Sequence, residues 1–508
     1  MLVHEFLTRS ARRLPDKVAL VCGERRLTYG ELDAMANRLA RALAEGGVVR
    51  GDRVALHLHN TVEAVVGIFA VLKTGGVFVP VNASTKTDKL AYILNNCRAK
   101  ALLIEARNLE AMNAWDTVPS LALAVVCGPK AESAGSGDAR IRAFDAIQAE
   151  CPATELPVTH IDLDLACLIY TSGSTGEPKG VMCDHSNVDF ASSSILSYLG
   201  SREGDIVLSV LPLSFDYGLY QLLMTFKIGG TLVLERTFMY PNLILQRIQE
   251  ERPTGFPGVP TVFAMLLQKD LSQYDLSSLR YLTNTAAALS PSRILDIQAA
   301  FPGATLYSMY GLTETKRTLY LPPDQLAQRA GSVGIPIPGT EAWIEDESGR
   351  RLGPGETGEL VVRGRHVMRG YWESPEATAQ RFRPGPLPGE RLCYSGDLFR
   401  MDEEGYFYFI SRKDDIIKCR GEKVAPKEVE NVLHMLPGIT AVVVGVPDAT
   451  AGEVVKAFIV PNGATLTEAQ VIAHCRAHLE DFMVPKFVEF RTELPLTSSG
   501  KISKLGLR

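Results

Sequence analysis

Apolar positions along the first hundred residues change period in a regular way. Leu32, Met35, Ala36, Leu39 and Leu43 recur at helical spacing, and 53–58 then reads as a short apolar strand. The alternation continues: 62–73 predicts a helix closed by Gly75 and Gly76, 77–81 a strand, 88–97 a helix and 101–104 a strand. Short buried strands separated by helices imply a mostly parallel sheet covered on both faces.

After about residue 363 the texture shifts to Gly, Pro and aromatic residues with short β-like runs such as 400–410, which predicts a small mixed-β subdomain. Beyond Ser411 the pattern predicts a helix over 426–435, strands over 441–446 and 454–460, and a helix over 468–480, a compact α+β unit. The expected fold class is therefore α/β. A large N-terminal body (1–410) of layered, mostly parallel sheets with helices carries the small β subdomain, and a small mobile α+β C-terminal domain (411–508) follows. Stretches 131–137 and 152–157 read as surface connections. No internal repeat is present, and no segment resembles a carrier domain with its own attachment serine, so any carrier is expected to be a separate chain.

Composition narrows the class. With 508 residues, 46% apolar and 22% charged, the chain has the means to bury more than one core. A net charge of -5 without a basic stripe excludes a general affinity for nucleic acid, which needs a dense basic face. Nine cysteines lie scattered from Cys22 to Cys475 with no CxxC spacing, which fits reduced thiols and offers no metal cluster. Residues 1–15 hold Arg9, Arg12 and Arg13 but no apolar core of signal-peptide length, and no later run is long enough for a bilayer, so a cytoplasmic protein without a membrane partner is expected.

The chemistry begins after the apolar run 166–170, at Thr171-Ser172-Gly173-Ser174-Thr175-Gly176-Glu177-Pro178-Lys179-Gly180. Glycines let backbone N–H groups converge on an anion, hydroxyls add donors and Lys179 adds positive charge, a combination suited to a triphosphate. A P-loop requires its lysine to open directly into a helix, whereas Lys179 is followed by Gly180 and a strand-like run. On composition alone, a surface loop without ligand is the commoner meaning.

The order of residues decides between them, because this segment resembles the phosphate-loop signature of the adenylate-forming superfamily of acyl-CoA synthetases, carrier-loading adenylation domains and luciferases. The likeness covers nearly the whole chain. Tyr307-Ser308-Met309-Tyr310-Gly311-Leu312-Thr313-Glu314-Thr315 resembles the second ATP motif: it implies that Tyr310, beside Gly311, stacks on adenine, that Thr313 touches the α-phosphate, and that Glu314, with Thr175 of the loop, holds Mg2+. Thr283-Asn284-Thr285-Ala286-Ala287-Ala288-Leu289 lies where relatives run backbone along the adenine, with Ala286 and Ala287 in place of the commoner glycines and Asn284 facing the acyl pocket. Tyr394-Ser395-Gly396-Asp397-Leu398 is similar to the motif whose aspartate accepts the ribose hydroxyls. Ser411-Arg412-Lys413-Asp414-Asp415-Ile416-Ile417-Lys418, then Gly421, resembles the hinge, with Asp414 as pivot and Arg412 and Lys418 toward the nucleotide. Pro495-Leu496-Thr497-Ser498-Ser499-Gly500-Lys501 resembles the closing motif whose lysine enters from the mobile domain, which makes Lys501 the catalytic lysine.

The resemblance implies ATP-dependent adenylation of a carboxylic acid followed by transfer to a thiol, with ATP and Mg2+ as cofactors. Phe215-Asp216-Tyr217 stands where amino-acid adenylation domains place the carboxylate that pairs with a substrate ammonium; the alternative is that Asp216 caps the helix after it. Lys316 and Arg317 follow the magnesium motif directly, and two cations beside the acyl pocket suit a second carboxylate unless they turn to solvent or to nearby acids. The likeness is then nearest to stand-alone enzymes that load β-amino acids such as 3-methylaspartate onto carrier proteins in antibiotic biosynthesis. An acyl-CoA ligase using coenzyme A with a fatty or aryl acid, and a non-catalytic nucleotide-binding relative, are the competing expectations.

Overall fold

The computed structural model describes all residues except 113, 130, 132–137, 173–177, 286–288, 290, 420–421, 449–451, 464, 498–501, 505 and 508. Two large sheets organise the N-terminal part. A seven-stranded sheet carries, in spatial order, Ile141–Ala143, Leu123–Cys127, Ala101–Glu105, Arg53–Leu58, Val77–Asn82, Leu165–Ser172 and Pro178–Asp184, with only the last strand antiparallel. A nine-stranded sheet has a parallel centre, Thr305–Tyr310, Tyr281–Asn284, Gly255–Gly258, Ile206–Ser209, Thr231–Leu234 and Val18–Cys22, flanked by antiparallel edges.

The sheets share one core because two helices are apolar on every side. Val62–Lys73 and Asp216–Ile228 are buried along nearly their whole length, and a single cluster runs from Leu56 and Phe78 through Phe69 and Phe226 to Leu20 and Leu232. Gly67 lets the first of these helices lie close on its sheet, since a Cβ there would come 2.5 Å from Leu103 Cδ2 and 2.7 Å from Leu56 Cδ2. Thr61 caps that helix by accepting from the Ala64 N–H. At its other end the buried Lys73 ammonium donates to Asp33 (2.8 Å) and to Thr8 (3.0 Å), which satisfies a charge that burial would otherwise neutralise.

The mixed-β expectation corresponds to a five-stranded antiparallel sheet built on Arg391–Met401. Glu341–Glu345 and Thr357–Arg363 lie to one side of that strand, and Phe382–Pro384 and Phe407–Arg412 pair with it directly. The expected run 400–410 is divided by a turn in which Asp402 accepts from the Glu404 and Tyr406 N–H groups. Strand Phe407–Arg412 runs through the expected junction at 410/411, and the chain leaves the sheet at the turn Lys413–Asp415. Beyond it a separate five-stranded sheet, with helices Pro426–Leu433 and Glu468–His478, closes over its own cluster of Val429, Leu433, Val443, Ala457 and Val471. Of the stretch 131–137 all but Ala131 lies outside the described residues, as does Gly421 of the hinge motif. Among the described residues no helix is long and apolar enough to cross a membrane.

Candidate active site

One cavity of about 2130 Å³ gathers residues from both large sheets, the small β sheet and the C-terminal unit. Its floor is the hairpin formed by Leu165–Ser172 and Pro178–Asp184, whose register sets Thr171 opposite Lys179 and Ser172 opposite Pro178. A lysine at the base of an antiparallel return is the opposite of the strand–loop–helix arrangement of a P-loop. Lys179 lines the cavity with its ammonium 5.7 Å from the centre of the Tyr371 ring. The hairpin tip, and with it Gly173, Ser174, Thr175 and Gly176, lies outside the described residues.

The second wall is set by a tight return after strand Thr305–Tyr310. The Thr318 N–H donates to the Tyr310 carbonyl (2.9 Å), and Gly311 is so crowded that a Cβ would lie 1.8 Å from the Lys316 carbonyl oxygen. Tyr310, Gly311, Thr313 and Glu314 thereby all face the cavity. Tyr310 packs edge-on to Phe399 (4.9 Å between ring centres) and donates its hydroxyl to Asp397 (2.6 Å), so the aromatic face and the carboxylate are oriented as one unit. Burial pushes the Asp397 carboxyl above the usual range, an effect opposed by Arg412, Tyr310 and Arg381.

Cross-strand pairing explains why two distant motifs meet: Asp397 stands opposite Arg412, with Arg412 Nε 3.7 Å from Asp397 Oδ1. Asp414, one turn on, also lines the cavity. Lys418 does not; it is exposed on strand Ile417–Cys419. Lys501 lies outside the described residues, while its neighbours Ile502, Ser503 and Lys504 line the cavity, Lys504 pairing with Glu430 at 3.2 Å.

The buried Glu314 carboxylate is held from one side. Tyr371 donates to Oε1 (2.6 Å) and Arg381 Nε lies 3.9 Å from the same oxygen, while Oε2 takes no hydrogen bond from a described group. A hard carboxylate oxygen left open on a nucleotide-sized cavity fits magnesium, which keeps few protein ligands and completes its shell with phosphates and water. Tyr371 and Arg381 were not legible as site residues: the first belongs to a Gly-Tyr-Trp turn and the second ends a short surface helix, Pro375–Arg381. Only the tertiary packing brings them to Glu314.

The acyl side is built on helix Asp216–Ile228. Phe215 takes the N-cap position, and Asp216 opens the helix and lines the cavity at 6% exposure without accepting a hydrogen bond from a described group. Tyr217 turns inward and donates to the Thr283 carbonyl (2.8 Å), and Asn284 is fully buried at the end of its strand. Ala286 and Ala287 lie outside the described residues.

Lys316 and Arg317 do not turn to solvent, being 1% and 3% exposed behind Asp216. Arg317 lies over the Tyr217 ring at 4.4 Å and 3.8 Å from Asp216 Oδ2, so one of the acids near these cations is the carboxylate expected for the substrate. Its Nη1 donates to the Lys316 carbonyl (3.3 Å), but its Nε and the Lys316 Nζ have no hydrogen-bond acceptor; the Tyr220 ring centre lies 5.8 Å from Lys316 Nζ, and the Tyr220 hydroxyl is without a partner too. Burial works against the Lys316 charge, but Cys183 and Asp216 outweigh it and hold the ammonium above the usual lysine range.

This geometry has counterparts among known proteins. Residues 7–372 match the model of the AMP-binding enzyme family, and 428–501 match that of the AMP-binding enzyme C-terminal domain. The chain is 37% identical to a feruloyl-CoA synthase of Amycolatopsis sp. over 98% of its own length and 96% of the relative's. Its fold superposes on the anthranilate CoA ligase AuaEII in complex with anthranoyl-AMP with a TM-score of 0.91 at 29% identity, covering 100% of this chain and 96% of that one. It also superposes on the o-succinylbenzoate coenzyme A synthetase of Bacillus subtilis in complex with ATP and magnesium ion, with a TM-score of 0.84 at 27% identity and 98% of each chain covered. A nucleotide wall, an open magnesium oxygen and an acyl cleft in one cavity thus agree with the sequence matches, and the chain belongs to the AMP-binding enzymes as an ATP- and magnesium-dependent, AMP-forming carboxylic acid–thiol ligase.

Proposed function

We propose that the acid is an amino acid with an aspartate-like second carboxylate, a β-amino acid, and that its acyl group passes to the phosphopantetheine thiol of a separate carrier protein. The observation that carries this reading is the buried trio of Asp216, Lys316 and Arg317. The single carboxylate is on the cavity wall with acceptor capacity to spare, and two cations with unmet donors lie behind it. The trio carries one positive charge in excess, and a buried donor without an acceptor costs about 1–3 kcal/mol. A substrate ammonium at Asp216 and a substrate carboxylate toward Lys316 and Arg317 relieve both deficits.

In this reading a carboxylate oxygen of the acid attacks the α-phosphorus of ATP, a bond to pyrophosphate breaks, and the acyl-adenylate forms without an enzyme nucleophile. Magnesium, held by Glu314 and Thr175, supplies charge neutralisation on the leaving phosphates. The loop from Thr171 to Lys179 cradles the phosphates and Thr313 orients the α-phosphate. Tyr310, with Ala286 and Ala287, bounds the adenine, while Asp397 and Arg412 hold the ribose side. Lys501 neutralises the reacting oxygens. The unit beyond residue 410 then turns about Asp414 and withdraws Lys501, a thiol sulfur attacks the acyl carbonyl, and AMP leaves. All nine cysteines are free thiols, which supports work in the reducing cytoplasm.

A second reading, free coenzyme A as acceptor with an aryl or fatty acid, is favoured by the feruloyl-CoA synthase likeness. ATP–pyrophosphate exchange with aspartate-like β-amino acids, simple amino acids, ferulate and fatty acids separates the two, followed by transfer to holo-carrier protein or coenzyme A. Exchange confined to ferulate or fatty acids overturns the amino-acid reading. Lys501→Ala is expected to lose most adenylation while still binding ATP, and near-normal adenylation removes that lysine from the chemistry.

A further inference from the structure

Glu314 and Asp397 come from different parts of the fold and carry like charge into one cavity, so something fixed must hold them. Arg381 lies between them, with Nε 3.9 Å from Glu314 Oε1 and its guanidinium against Gly396, the neighbour of Asp397. It ends helix Pro375–Arg381 immediately before strand Phe382–Pro384, which pairs with the strand that carries Asp397. Its backbone is therefore anchored to the ribose side, while its side chain reaches the magnesium side, with Nε 3.9 Å from Glu314 Oε1.

The turn next to Asp397 is shaped around this guanidinium. Gly396 has a φ of +69° and, in addition, a Cβ there would come 2.4 Å from Arg381 Nη1. The left-handed backbone favours glycine here, and the flexible end of the arginine lies against it. Arg381 Nε is buried yet makes no hydrogen bond; burial works against the guanidinium charge, and the Glu314 and Asp397 carboxylates favour it. An arginine serving only to pack this corner would have no need to face two carboxylates while a buried N–H goes unsatisfied. Such groups in native proteins ask for a reason.

We infer that Arg381 is a positioning residue for nucleotide and metal: its guanidinium holds the Glu314 and Asp397 carboxylates in their binding positions before ATP arrives, and it competes with the incoming metal for Glu314. The inference rests on the assignment of Glu314 to magnesium and Asp397 to ribose. Arg381 touches neither the acid nor the reacting atoms, so its effect falls on binding. Tyr371, which donates to the same Glu314 oxygen, helps to keep that carboxylate oriented.

The test uses the full chain with Arg381→Met, Arg381→Lys and Arg381→Gln. ATP binding is measured by calorimetry with the metal chelated and again with magnesium, alongside the magnesium dependence of pyrophosphate exchange. Arg381→Met is expected to bind metal-free ATP about tenfold more weakly, the equivalent of one lost charge-assisted contact. It is also expected to reach half-maximal exchange at several-fold lower magnesium, because a competing cation is gone, with kcat at saturating MgATP changed by less than KM. Arg381→Lys restores most of the ATP affinity. Should Arg381→Met unfold, Arg381→Lys and Arg381→Gln carry the same comparison. Metal-free ATP affinity within twofold of the parent, or an unchanged magnesium requirement, overturns the inference. Glu314→Gln and Asp397→Asn serve as controls: if neither alters magnesium dependence or ATP affinity, the site assignment itself fails, whereas if both do and the Arg381 variants behave like the parent, only the role of Arg381 falls.

Discussion

Acidification should loosen this protein at its buried histidines before its carboxylates titrate; His366 and His434 are also brought down to about 4 by burial, but three others gather at one place. His4, at the N-cap of helix Glu5–Arg13, His160, and His185, the first residue of helix His185–Leu199, stack with ring centres 5.1 and 5.2 Å apart. The Val3 N–H donates to His185 Nδ1 (3.0 Å), which requires that nitrogen unprotonated, and both ring nitrogens of His160 are without partners. Burial first, then mutual repulsion, brings His4 down to about 4 and His185 to about 3; Lys73, Glu5, Asp33, Asp164, Arg50 and the chain amino group face them with mixed sign. A histidine whose folded value lies below its ordinary 6.5 binds its proton more readily when unfolded. Its contribution is whole above that pH and is lost as pH falls toward the folded value. Because an unfolded histidine is already half protonated at pH ~6.5, each of the two forfeits about 1.6 kcal/mol from there to pH ~5, about 3 kcal/mol together. Urea unfolding in steps between those pH values reads this directly. In His185→Asn, Oδ1 can still accept from Val3 but nothing titrates, so about 1.6 kcal/mol of the loss should vanish. The reasoning is wrong if the parent loses less than about 1 kcal/mol across the window, or if His185→Asn loses as much as the parent.

Three other perturbations have definite outcomes. Gly311→Ala puts a methyl 1.8 Å from the Lys316 carbonyl oxygen, so denaturation should show a loss of about 3 kcal/mol or more, with adenylation abolished. Tyr310→Phe keeps the ring and removes the hydrogen bond to buried Asp397; ATP affinity by calorimetry should fall about tenfold at similar stability. Lys73→Met strips Asp33 of its cation in the core and should cost about 3–5 kcal/mol, whereas the double variant Lys73→Met/Asp33→Leu recovers much of it in the same unfolding assay.

Much of this architecture was legible because the relevant signals are local. The switch between strand and helix period located Arg53–Leu58 and Val62–Lys73 to the residue, and Glu468–His478 to within two. Sheet order was not legible: nothing in Val18–Cys22 announces that it lies beside Thr231–Leu234, because that pairing is settled by the two apolar helices the sheets share. The antiparallel edge at Pro178–Asp184 likewise depends on the hairpin closing, which periodicity does not encode. Motif residues were found one by one, yet that Asp397 faces Arg412 and bonds Tyr310 follows only from register and packing.

The same distinction decides how Lys316 and Arg317 are to be understood. Adjacent cations after a turn ordinarily read as solvated, and their neighbours in sequence give no reason to think otherwise. What buries them is the return forced by Gly311, with Lys316 at a φ of +59°, a left-handed conformation that side chains with a Cβ seldom take. Strain in the backbone, two buried charges and the unmet Lys316 Nζ and Arg317 Nε all oppose stability, and the Arg317 Nη1 bond to the Lys316 carbonyl (3.3 Å) with the Asp216 contact offsets only part of that. Costs that coincide on the wall behind Asp216 are what a binding pocket keeps in reserve for its ligand, whereas a position under selection for stability alone would shed them. On the proposed reading the orientation of Arg317 by Asp216 and the Tyr217 ring serves recognition of the acid, and a substrate that brings negative charge of its own to that end of the cleft satisfies it.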